Sequence, residues 1–163
     1  IQSLIDRIVS RGGMVKNLHG QKNLYYQVNA TYYSALGESD EKMLLARAIQ
    51  MFMPGKSQIW YLDLFAGKND HEAVQRAGES GHKEINRTNL STDQITEGLK
   101  KDVVQKQLAL IRMRNTHKAF SEGAEVAISG GERSLEIRWE YNSAFATLYV
   151  NFESGTYTIV ESK

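Results

Sequence analysis

Residues 59–65, Ile-Trp-Tyr-Leu-Asp-Leu-Phe, form the densest apolar and aromatic run of the chain. Pro54-Gly55 bounds it on one side and Gly67 on the other. A continuous run of this length predicts a strand buried on both faces, as in a parallel sheet covered by helices. A long polar stretch follows it, from Lys68 to Arg87. In helix-covered parallel sheets, ligands gather on the loops at the carboxyl ends of strands. A substrate contact is therefore expected in this stretch.

The flanking sequence supplies helices. Ile1, Leu4, Ile5, Ile8 and Val9 recur at helical spacing, and Gly12-Gly13 can close that helix in a left-handed cap. Ser39-Asp40-Glu41 opens another, with a capping hydroxyl and acids at the positive helix end. Its residues from Met43 to Met53 are apolar around most of the circumference, which predicts a nearly buried helix whose methionines fill core gaps. Ser91-Thr92-Asp93 caps a short helix over 92–99, and a longer one is expected over 102–114. From residue 124 the period changes to two. Leu135, Ile137, Trp139 and Tyr141 alternate with Glu136, Arg138 and Glu140, and Gly130-Gly131, Asn142-Ser143 and Ser154-Gly155 mark turns. The fold class is α+β, with a small antiparallel sheet after residues 118–123.

Bulk properties narrow the function. A net charge of +1 gives no steering toward nucleic acid or an acidic membrane surface. Without cysteine there is neither a disulfide frame nor a thiolate nucleophile. No apolar stretch is long enough to span a bilayer. His19, His71, His82 and His117 lack the spacing of a helical zinc pair, so neither a metal nor a cofactor is expected. Asp70, His71 and Glu72 are consecutive and cannot all face one substrate atom; they read as a solvated loop. Asp63 either reaches the end of the strand or pairs with a donor in the core. Lys83 and Arg87 either hold an anion or are solvated. Tyr25, Tyr26, Tyr32 and Tyr33 either pack against a sugar or edge the core.

Several segments carry a family likeness. Tyr26-Gln27-Val28-Asn29-Ala30-Thr31-Tyr32-Tyr33-Ser34-Ala35-Leu36-Gly37, Leu44–Gln50 with Met53-Pro54-Gly55, Ala66-Gly67-Lys68-Asn69-Asp70, Glu84-Ile85-Asn86-Arg87 and Ile111–His117 occur in one order. Together they resemble the sucrose phosphorylases of the α-amylase superfamily. The resemblance implies that residues 1–119 are the last helix–strand–helix of a (β/α)8 barrel and that 120–163 are an antiparallel C-terminal domain. It implies a cytoplasmic enzyme in which a carboxylate attacks an α-glucoside, a glucosyl-enzyme forms, and inorganic phosphate takes the glucosyl group. The nucleophile, the acid/base and a supporting aspartate precede the matched part in that family. No catalytic residue is therefore expected here, and the isolated chain is expected to be inactive.

The same likeness places Tyr26 and Gln27 in an acceptor-site loop, and Lys83 where the family carries a phosphate-holding arginine, with Arg87 nearby. Lysine is a point charge where arginine grips phosphate in two places. Together with Leu24 in place of a loop aspartate, this leaves fructose, fructose 6-phosphate and glycerate open as acceptors. Two other readings stand beside it: a non-catalytic sugar-binding or interaction module, and an inactive fragment that self-associates through the orphan face of its strand.

Overall fold

The computed structural model describes residues 1–17 and 25–163. His19 and Leu24 lie outside the described residues, as do the side chains of Tyr25, Tyr26 and Ser80. The chain divides into two compact units, 1–43 with 59–104, and 44–58 with 105–163.

The first unit opens with α1 (Gln2–Ser10), which buries Ile5 and leaves Ile1, Leu4 and Val9 exposed. Gly12, at φ 84°, returns its N–H to Val9 O and ends the helix as the glycine pair predicts. β1 (Met14–Asn17) pairs antiparallel with β2 (Tyr25–Asn29), setting Lys16 opposite Gln27 and Met14 opposite Asn29. α2 (Tyr32–Ala35) is capped by Thr31, whose hydroxyl accepts the Ser34 N–H at 3.1 Å. Ser39 starts α3 (Asp40–Phe52) by accepting the Lys42 N–H, and Met43 is wholly buried.

Residues 59–65 are not a strand. Tyr61–Leu64 form a single helical turn, α4, and of its residues only Leu62 is buried, at 2% exposure. The difference has a physical cause. A two-sided strand must bury its side chains, but the polar tips of this run go to loop carbonyls. The Trp60 ring N–H donates to Asn86 O at 2.9 Å and the Tyr61 hydroxyl to Thr88 O at 2.8 Å. Asp63 accepts the Tyr32 N–H at 2.8 Å. An apolar run of this length does not by itself separate strand from helix. The turn closes where Ala66 takes φ 51° and the Gly67 N–H reaches back to Leu62 O at 2.8 Å. A Cβ at Gly67 would lie 2.5 Å from Leu62 Cγ, so only glycine fits the corner.

The polar stretch after it is not an open loop either. It folds as α5 (His71–Ala77) and a 3₁₀ stretch, Gly78–Asn86. Asp70 caps α5 by accepting the Ala73 N–H at 2.8 Å, and its other oxygen accepts the Thr88 hydroxyl at 2.8 Å. α6 (Thr92–Gly98) carries the expected capping box between Ser91 and Gln94. α7 (Asp102–Thr116) begins in this unit, with Val103 and Val104 buried.

The second unit takes the rest of α3 and α7, a 3₁₀ turn at Lys118–Phe120, and the sheet. β3 (Glu125–Gly131), β4 (Ser134–Tyr141), β5 (Ala144–Asn151) and β6 (Thr156–Glu161) pair antiparallel in sequence order, as the period of two predicts. Ile137 faces Leu148 and Trp139 faces Ala146 across β4 and β5, and all four are buried. The Trp139 ring N–H donates to Phe52 O at 2.6 Å. The Arg114 guanidinium lies 4.2 Å from the Trp139 ring and 4.7 Å from Phe120, and desolvation lowers its pKa. Arg47 of α3 is buried and donates to Gln107 Oε1 at 2.9 Å and to Gln50 Oε1. Among the described residues, no helix is long and apolar enough to cross a membrane.

The Trp139 hydrogen bond yields a prediction. Trp139→Phe keeps most of the buried ring but strands the Phe52 carbonyl, which should cost about 1–3 kcal/mol. Urea unfolding at constant m-value checks it.

Candidate functional site

The site is built on β2 and the 3₁₀ stretch. Alternation along β2 puts Gln27 and Asn29 on one face. The 3₁₀ stretch brings up Lys83 and Asn86, and Arg87 follows directly. Asn86 ties these parts together: its side-chain amide donates to Ala30 O at 3.2 Å, and its carbonyl accepts the Trp60 ring N–H. Asn69 Oδ1 accepts the Thr31 N–H at 2.7 Å, and the Asn69 N–H donates to the buried Ser34 hydroxyl at 3.0 Å. These bonds fix the start of α2 against the corner that follows α4.

Gln27, Asn29, Trp60, Lys83, Asn86 and Arg87 line one cavity of about 220 Å3. Three of the four residues expected at a site, Gln27, Lys83 and Arg87, thus share a single wall. Tyr26 is placed on β2 by its backbone only. Gln27 Oε1 and Asn29 Nδ2 are buried without a hydrogen-bond partner among the described residues. Sequence reasoning does not reach Asn29, Trp60 or Asn86. The period of two pairs Asn29 with Gln27, but only once β2 is known to be a strand. The expectation of a buried strand hides Trp60.

The local field is positive. His82 Nε2 is buried without a hydrogen-bond partner among the described residues, and the His82 pKa is lowered by burial first and then by Lys16, Lys83 and Arg87. Lys16 shares the face of Gln27 through their cross-strand pairing. Glu84 is 3.7 Å from Arg87, and both side chains are about half exposed, so the pair compensates weakly.

Arg87 also walls a second cavity of about 500 Å3, with Asp70, Arg76, Glu84 and Thr88. Asp70 and Glu84 bring two carboxyl groups there. The Asp70 carboxylate is held below the usual range, chiefly by the Ala73 N–H and then by the Thr88 hydroxyl. A carboxyl so stabilised in its charged form is a helix cap and a poor proton donor. His71 and Glu72 sit on the first turn of α5, where Glu72 is 3.6 Å from Arg76. The tyrosines of the α2 region are partly occupied: the Tyr33 hydroxyl donates to Asp40 at 2.8 Å, and burial with that bond pushes its pKa up to about 12. Among the described residues, no group of three or more histidines, cysteines and acids is placed to hold a metal ion.

No family model matches the chain. It is 52% identical over 162 residues to the sucrose 6(F)-phosphate phosphorylase of Ilumatobacter coccineus, covering 98% of this chain and 31% of that protein. It is 43% identical over 137 residues to the sucrose phosphorylase of Agrobacterium vitis, covering 84% of this chain and 28% of the relative. The crystal structure of sucrose 6F-phosphate phosphorylase from Thermoanaerobacter thermosaccharolyticum superposes with a TM-score of 0.90 at 36% identity, covering 99% of this chain and 34% of the other. Helices followed by a four-stranded antiparallel sheet, matched at this level, make the chain similar to part of the sucrose phosphorylases. It corresponds to the C-terminal portion of a sucrose phosphorylase-like protein and spans about a third of the length of the curated relatives it matches.

His82 gives a pH prediction with a definite sign. Its pKa in the fold is below the ordinary 6.5, so the unfolded chain binds the proton more readily. The stabilisation is complete above 6.5 and is lost as pH falls through that value toward the folded pKa. Thermal midpoints measured from about pH 8 to about pH 5 should therefore fall less steeply in His82→Gln than in the unaltered chain.

Proposed function

We propose that this chain forms the phosphate and acceptor wall of a retaining glucosyl phosphorylase. The enzyme acts in the cytoplasm on sucrose or a related α-glucoside and gives α-glucose 1-phosphate. In the overall reaction the glucosyl C1–O bond to the acceptor sugar breaks, a C1–O bond to phosphate forms with retention, and a proton passes to the departing sugar oxygen. The single observation that carries the reading is the convergence of Gln27, Lys83 and Arg87 on one cavity. Lys83 and Arg87 supply charge for an anion, and the Gln27 amide lies on the same wall. Tyr26 acts from the same strand. The two reactive carboxylates belong to other parts of the enzyme, and residues 1–119 and 120–163 are its barrel end and its accessory domain.

The exposed apolar residues of α1, Ile1, Leu4 and Val9, support self-association of the isolated chain. Sedimentation as a clean monomer would remove that part of the proposal.

The functional test is binding of inorganic phosphate to the 163-residue chain by isothermal titration calorimetry. Saturable binding that weakens about tenfold in Lys83→Ala, and less in Lys83→Arg, is the expected result. Binding that is unchanged in Lys83→Ala, or no binding at all, would refute the phosphate wall. The same chain mixed with sucrose and phosphate should release no glucose 1-phosphate. Release would show that the reactive acids lie within these residues.

A further inference from the structure

We infer that the indole of Trp60 is the platform on which the acceptor's sugar ring stacks, an inference that rests on the functional reading above. Exposure alone would not carry it, because isolated exposed apolar side chains are common on protein surfaces. The way this ring is held, and what surrounds it, set it apart. Trp60 is the N-cap residue of α4, in extended conformation, and its side chain is 49% exposed on the cavity wall. Its N–H is fixed on the Asn86 carbonyl, 2.9 Å away. The Tyr61 ring packs on it with centroids 4.9 Å apart at a 47° tilt. Tyr61 is itself fixed through its hydroxyl to Thr88 O. The indole therefore presents a rigid apolar face with no polar group of its own left to satisfy.

Beside that face lie the side-chain amides of Gln27 and Asn29, each with one buried atom that has no hydrogen-bond partner among the described residues. A pyranose or furanose ring has this same division of chemistry, with C–H groups on its faces and hydroxyls around its rim. The faces pack on an aromatic ring, and the rim exchanges hydrogen bonds with planar amides, which can both give and accept. The cavity, about 220 Å3, lies below the roughly 300–1,000 Å3 of a pocket for drug-sized ligands. It leaves room for one monosaccharide unit against the indole. The positive charge of Lys83 and Arg87 on the same wall adds a preference for a hexose that carries phosphate.

Calorimetric titration of the 163-residue chain with fructose 6-phosphate and with inorganic phosphate tests the inference. The unaltered chain should bind fructose 6-phosphate more tightly than phosphate. Trp60→Ala should weaken fructose 6-phosphate about tenfold and leave inorganic phosphate within about twofold, whereas Trp60→Phe, which keeps an aromatic face but not the ring N–H, should stay within about threefold for both. Circular dichroism identifies any variant that fails to fold; if Trp60→Ala does, Trp60→Leu takes its place with the same expectation. Equal affinity for fructose 6-phosphate in Trp60→Ala, with phosphate binding intact, would overturn the stacking role alone. Absence of Lys83-dependent phosphate binding in the unaltered chain would overturn the functional reading beneath it.

Discussion

Asn86 is the fastening on which the candidate site depends. One residue joins three otherwise separate segments: its amide reaches the end of β2 at Ala30, its carbonyl holds the Trp60 ring, and its backbone ends the 3₁₀ stretch that carries Lys83. The cavity wall is polar, and behind it Ile85 and Leu62 are buried. A hydrogen bond contributes only about 0.5–1.5 kcal/mol net. Its value here is directional, since each bond fixes the angle at which a side chain meets the cavity. The site is thus positioned by a few bonds to backbone carbonyls, and the helices beside it supply the burial.

Much of the fold is legible from sequence, and for identifiable reasons. β4 alternates in sequence, Leu135, Ile137 and Trp139 against Glu136, Arg138 and Glu140, and its Ile137 and Trp139 are the buried residues of the strand. α1, α3 and α6 carry caps or stops whose chemistry is local: Gly12 in a left-handed turn, Ser39 and Ser91 as hydroxyl acceptors. Ile59–Phe65 misleads because what distinguishes it is non-local. The carbonyls that receive the Trp60 and Tyr61 tips lie 26 and 27 residues further along the chain. The helix α5 escapes a reading by pattern because its seven residues hold only Ala73, Val74 and Ala77 as apolar positions and none is buried, and its cap, Asp70, resembles a member of an acidic, catalytic-looking cluster.

The candidate site divides in the same way. Gln27, Lys83 and Arg87 come from resemblance to the sucrose phosphorylases, and the folded chain sets them around one cavity. Asn29 and Trp60 come only from the fold. Without a strand at 59–65, nothing places a ligand at a strand's carboxyl end, and the functional reading stands on the cavity wall itself. Arg47 and Arg114 mark the opposite case. Both are cations withdrawn from water, held by glutamines in one instance and by aromatic faces in the other, and nothing in the apolar pattern announces them.

At the corner from Ala66 to Asp70, every residue serves the folding of the chain. Ala66 bends left-handed, Gly67 clears Leu62, Lys68 pairs with Glu38 at 2.5 Å, Asn69 holds Thr31, and Asp70 starts α5. The stretch that reads most like an enzyme's fingerprint is therefore joinery. Shared possession of it is a mark of common descent and says little about which ligand a bearer handles.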